Sequence, residues 1–349
     1  MSSIPSNERI IWADVCRILA VFGVIVIHSS GELFYSYGKV STDYWLSANF
    51  WDSLSRVAVP LFVMLSGSLL LKSKKILNFK VHSILKRVGR VFFPLVTWSV
   101  VYLLWLRDPS SAPINIFEWI GKFFSEPVMY HLWFVYMVIG LYIIIPILQV
   151  IFLSCENDSR LKWYLFSIWF AINSLTIYIP MPFLLHMQIQ PLLEYPGYFI
   201  LGGILGMSSR DILFQYHWGL LFLIGFLLTF FIVWIRTYDS GVPDELGYAY
   251  FSPNVLFSSI GAFMCIQRIR IQGVWAKIIH WLSDVSFPIY FVHIMSLEYI
   301  RYGLFGIKFS TKDFYPFFSI LALAIAVFIV SLMVASVLRV IPGSRRIFG

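Results

Sequence analysis

The chain has 349 residues, 59% hydrophobic and only 13% charged, with a mean hydropathy of +0.79. Soluble domains carry about 25% charged residues, so a water-soluble globule is excluded and an integral membrane protein is expected. The net charge of +8 is accounted for by cytosolic loops and anionic lipid headgroups, without a nucleic-acid partner.

Apolar runs throughout the chain, in place of short alternating segments, point to an all-α polytopic bundle rather than a barrel. Ten stretches are long enough to span a bilayer: 11–30, 46–71, 88–106, 131–153, 161–180, 191–208, 216–236, 253–268, 285–305 and 315–340. The longest connections, 107–130 and 237–252, are too short for a separate domain, so residues 1–349 form a single transmembrane domain. Lys72, Lys74, Lys75, Lys80, Lys86, Arg87 and Arg90 crowd one loop and the helix after it. The positive-inside rule puts that loop, and with it both termini, in the cytosol. Asp239, Asp244 and Glu245 then fall outside. Arg17 within the first apolar run argues for a retained helix rather than a cleaved leader. Cys16, Cys155 and Cys265 show no metal-ligand spacing and read as free packing residues.

The first segment holds the most unusual residues. A charge in hydrocarbon costs at least about 2.5–3.5 kcal/mol, so Arg17 and His28 need a task there. Eleven residues of helix advance about 16 Å and complete three turns plus about 20°, which sets both on one face at different depths. Asp14, three residues before Arg17, can partly neutralise it. His28 alone also fits an interfacial histidine bonded to a neighbouring helix.

In the second segment Arg56 requires a carboxylate, carbonyls or a bound anion, and Asp52 at i−4 can supply the first. Pro60 and Gly67 read as packing or kink residues. Arg87 and Arg90, three apart, project two guanidinium forks from one face at the start of the third segment, a geometry suited to phosphate oxygens. Sidedness alone explains most of the positive charge around them. Tyr130, His131 and Trp133 open the fourth segment, where aromatic belts are ordinary and a sugar also stacks well. Gly202 and Gly206 suit close helix packing. Ser286, Tyr290, His293, Leu297 and Arg301 form one polar stripe on the ninth segment, which faces the bundle interior.

Taken in order, these blocks resemble acyltransferase family 3, the integral-membrane O-acyltransferases. The resemblance is carried by Asp14, Arg17 and His28, by 62–67, by Arg87 and Arg90, and by Ser286, Tyr290 and His293. The stretches 55–62 and 130–134 are most similar to the enterobacterial common antigen O-acetyltransferase branch. The resemblance implies acetyl transfer from cytosolic acetyl-CoA, a co-substrate rather than a resident cofactor, to a hydroxyl of a surface polysaccharide or its lipid-linked precursor. It places the protein in a bacterial inner membrane. Catalytic roles are expected for His28, Arg17 and Asp14 and donor binding for Arg87 and Arg90. Arg56, Tyr130, His131, Trp133, Ser286, Tyr290 and His293 are candidates for acceptor or oxyanion contacts. No metal is expected. A transporter or flippase of a glycan-lipid or anionic substrate, and transfer of another acyl group such as succinyl, are the alternatives.

Overall fold

A computed structural model describes residues 10–71, 81–108, 115–155, 158–179, 190–206, 215–303, 306 and 308–349, and among them there is no β-strand. The helices are α1 (Ile11–Phe34), α2 (Thr42–Ser55), α3 (Ala58–Leu70), α4 (Val81–Leu106), α5 (Ile116–Ser125) and α6 (Trp133–Ser154). They continue with α7 (Ser159–Tyr178), α8 (Gln190–Leu205), α9 (Gln215–Ser240), α10 (Pro253–Ile266), α11 (Gly273–Tyr302), α12 (Pro316–Val340) and the short α13 (Ser344–Ile347). Lys72, Lys74, Lys75 and Lys80 of the basic loop lie outside the described residues.

Among the described residues eight spans are long and apolar enough to cross a membrane: α1, α2 joined to α3, α4, α6, α9, Leu246–Ile266, α11 and α12. The chain is a multi-pass integral membrane protein. Helices α7 and α8 coincide with the fifth and sixth of the ten expected segments but are not among these eight. On α9 the side chains of Leu220, Leu223, Leu227, Phe231 and Ile235 are exposed at helical spacing, a row suited to lipid rather than water.

Three departures from the expected elements have local reasons. The second span breaks at Arg56–Val57, because Pro60 has no N–H to give the Arg56 carbonyl. The ladder restarts with Leu61 N donating to Val57 O at 2.9 Å. Helix α11 begins twelve residues before the expected 285, since Lys277, His280, Ser283 and Asp284 lower hydropathy without interrupting the backbone bonds. Helix α5 occupies part of the stretch expected to be a loop. The Asn115 side chain caps it, accepting from Phe117 N at 3.0 Å. Its Ile116, Phe117, Ile120 and Phe124 are exposed while Phe123 is buried, the pattern of a helix lying at a membrane surface.

Two pairings position the site. Helices α1 and α11 run side by side in the same direction: Asp14 meets Ser283 near their starts, and His28 meets His293 further along. Helices α3 and α8 approach at their glycines. A Cβ on Gly67 would lie 1.8 Å from the Phe199 carbonyl oxygen, and one on Gly202 would lie 1.9 Å from that of Met64.

Candidate active site

Two of the cavities between the helices hold expected site residues from both ends of α1. The first, about 340 Å³, lies toward the end of the bundle where α1 begins and is lined by Arg17, Arg90, Phe62, Ser66, Ser286 and Tyr290 among others. The second, about 640 Å³, lies toward the end where α1 finishes and is lined by His28, Arg56, Tyr130, His131, Trp133, Tyr290 and Arg301 among others. Phe134 and Tyr290 line both, and their ring centroids are 5.5 Å apart. The expected site residues thus divide into two groups with an aromatic wall between them. Arg17 and His28 belong to opposite cavities, as their separation along α1 requires.

The first group is organised around Asp14, which is 1% exposed. Its Oδ1 pairs with Arg17 Nη1 at 2.7 Å and accepts from Ser283 Oγ at 2.6 Å. Its Oδ2 lies 2.6 Å from His280 Nδ1. A buried carboxylate held by this many groups is a fixed anchor, which holds the Arg17 guanidinium against α11. Fourteen residues of helix, about 21 Å, separate Asp14 from His28, so the two do not form a dyad. Arg90 reaches the first cavity, while Arg87 is not among its lining residues and has a buried Nη1 without a hydrogen-bond partner. Sequence reasoning missed His280 and Ser283. Their signal was the polar stripe of α11, which continues back from Ser286 at helical spacing.

Three imidazoles gather at the second cavity. The His28 ring lies 5.2 Å from the Tyr130 ring and 5.3 Å from that of His293, and His293 lies 5.0 Å from His131. His293 Nδ1 is 2.5 Å from the Tyr290 carbonyl oxygen. A carbonyl only accepts, so this nitrogen carries the proton and leaves Nε2 as a bare acceptor with no hydrogen-bond partner. Neither ring nitrogen of His131 completes a hydrogen bond of ordinary geometry. The nearby Phe291 carbonyl accepts from Tyr102 Oη at 2.6 Å. Tyr290 Oη donates to the His131 carbonyl at 2.5 Å. Among the described residues no group of His, Cys, Asp and Glu has a metal-holding arrangement.

The charges around this cavity are tied down. Arg56 pairs with buried Asp52 at 2.7 Å and lies 4.0 Å from the centroid of the Tyr248 ring, so its carboxylate partner is the one the sequence indicates. Arg301 Nη2 donates to the carbonyls of His28 at 3.2 Å and Ser29 at 3.3 Å, fixing the backbone that carries the imidazole. Its other nitrogens face Glu32 at 3.8 Å and Glu298 at 3.6 Å. At the rim Tyr35 donates to Glu245, linking the end of α1 to the 241–252 loop. Trp133 and Tyr130 present rings to the same space. Glu32 and Tyr250 also line it without having been singled out in the sequence, and Glu245 does so having been named there only for its sidedness.

This arrangement suits transfer between two substrates that enter from opposite ends and meet at a shared wall. Residues 10–337 match a family model described as an acyltransferase domain, acyltransferase family 3. Neither curated proteins nor solved structures gave a match. The match covers nearly the whole bundle, including both cavities, and the chain belongs to the acyltransferase 3 family of membrane acyltransferases.

Proposed function

We propose that the protein is an O-acetyltransferase of a bacterial inner membrane. It moves an acetyl group from cytosolic acetyl-CoA to a hydroxyl of a surface polysaccharide or its lipid-linked precursor. The observation that carries this reading is the placement of His28 and the Arg17–Arg90 pair in two cavities that share one aromatic wall. With both termini in the cytosol, the first cavity opens inward. Arg17 and Arg90 then receive the donor's phosphate oxygens, for which guanidinium forks are well matched. The pantetheine arm runs along the apolar lining toward Phe134 and Tyr290.

The acceptor occupies the second cavity, its sugar rings stacked on Trp133 and Tyr130. The imidazole of His28 takes the proton from the attacking hydroxyl, a step typically worth about 10²–10⁴-fold. A C–O bond forms, the C–S bond breaks, and the proton passes to the departing coenzyme thiolate. His131 lines this cavity with ring nitrogens that lack an ordinary hydrogen bond, which makes it the candidate donor to the developing oxyanion. A transient acyl-histidine is the second route through the same geometry. It differs by leaving labelled acyl on the protein when acceptor is withheld. Similarity of 55–62 and 130–134 to the enterobacterial common antigen branch supports a glycan acceptor.

His28→Ala is expected to abolish acetylation of surface glycan, read by mass analysis, while the variant still inserts and purifies as a folded protein. Normal acetylation by that variant defeats the mechanism. For the donor, Arg90→Ala should weaken acetyl-CoA binding more than Arg87→Ala, since Arg90 alone of the two lines the cavity. Equal losses in a binding titration would contradict that assignment.

A further inference from the structure

The wall between the cavities has a consequence for which acyl groups can be transferred. Phe134, from α6, and Tyr290, from α11, are the residues common to both linings. Neither ring is free to swing. The Phe134 ring centroid lies 5.4 Å from that of Phe62 on α3 and 5.5 Å from that of Tyr290. Tyr290 is 4% exposed and its hydroxyl is held by the His131 carbonyl at 2.5 Å. Three helices therefore fix an aromatic aperture between the arginine-lined chamber and the chamber that holds His28. On the acyl-transfer reading, on which this step rests, the thioester carbon must sit at that aperture. The rest of the acyl chain must then project beside these rings.

We infer that Phe134, braced by Phe62 and Tyr290, is the residue that limits acyl length, holding the enzyme to two-carbon donors. A chain longer by two methylenes must displace a ring that packs against Phe62, Trp133 and Tyr290, and interiors resist such displacement. Discrimination in a fixed apolar site runs at about 10–200-fold per methylene. The chemistry is the same for each donor: the thioester C–S bond breaks, the ester C–O bond forms, and the hydroxyl proton ends on the coenzyme thiol.

The test measures transfer from acetyl-CoA and butyryl-CoA to glycan by the full-length parent, Phe134→Leu and Phe134→Ala in membranes, with acetyl-CoA binding measured on each. The butyryl-to-acetyl rate ratio should rise at least tenfold in Phe134→Ala, with Phe134→Leu between it and the parent. A variant that transfers acetyl at the parental ratio overturns the inference. So does a pair of variants that bind acetyl-CoA as the parent does yet transfer neither group, because Phe134 would then shape the reaction rather than size it. A parent that binds acetyl-CoA and transfers nothing strikes the acyl-transfer reading itself, and the inference falls with it.

Discussion

His131 is 1% exposed, and both of its ring nitrogens lack a hydrogen bond of ordinary geometry. A buried polar group left unpaired costs about 1–3 kcal/mol, so a phenyl ring of similar shape at this position would fold at least as well. The imidazole lines the second cavity beside His293, where a bound substrate can complete its hydrogen bonds. His131→Phe should therefore leave the thermal midpoint unchanged or raised while acyl transfer falls at least about tenfold, the loss expected for one oxyanion donor. A midpoint that falls together with activity would make His131 part of the scaffold instead. Asp14 presents the opposite case, since both of its oxygens have partners, Arg17 and Ser283 on one and His280 on the other. Hydrogen bonds to a charged group contribute about 1.5–3 kcal/mol, although the partial exposure of Arg17 and His280 reduces that here. His280→Ala is expected to raise the donor Kd several-fold through loss of Arg17 alignment and to leave acceptor binding alone. A change in acceptor binding of equal size would break the link between this cluster and the donor. Sequence spacing put Arg17 and His28 on one face of α1, and the fold uses both. It could not show what holds Asp14, because Ser283 and His280 lie some 270 residues away on α11.

At the scale of elements, α3 and α8 touch backbone to backbone at Gly67 and Gly202. An added methyl at Gly202 would sit 1.9 Å from the Met64 carbonyl oxygen, and the obstacle is main chain rather than a flexible side chain. Gly202→Val should push the two helices apart and lower the yield of monodisperse protein, with a melting midpoint several degrees below the parent. Gly219, where a Cβ would meet nothing within 4 Å, is the comparison, and Gly219→Ala should behave as the parent. Equal behaviour of the two variants would show that the contact is not needed. The small-residue spacing of Gly202 and Gly206 signalled close packing, and hydropathy marked the eight candidate spans found among the described residues, along with two further stretches. It misplaced the starts of α4 and α11. Hydropathy reports transfer into hydrocarbon, whereas a helix ends where its backbone bonds end. Lys277, His280 and Asp284 interrupt the first signal and leave the second intact. Helix α5 escaped for a related reason: its ten residues are too few to span, and its apolar face is one-sided.

For the whole molecule the open question is which end of the bundle meets the cytosol, since the donor must reach the cavity that holds Arg17 and Arg90. The described part of the basic segment, from His82 through Arg90, lies at the end where α1 starts, and Asp239, Asp244 and Glu245 lie at the other. Charge sidedness therefore predicts that the arginine-lined cavity opens inward. Single cysteines decide it, because the native Cys16 and Cys155 are buried and Cys265 lies within a spanning helix. Tyr238→Cys, at a site 72% exposed near the end of α9, should react with a membrane-impermeant maleimide on intact cells. His82→Cys, exposed near the start of α4, should react only once the membrane is opened. Acetyl-CoA added outside should then support glycan acetylation in inverted vesicles and not in right-side-out ones. The reverse labelling pattern would put the donor cavity outside the cell, away from any supply of coenzyme A thioesters, and a two-cavity enzyme fed from the cytosol could not operate in that orientation.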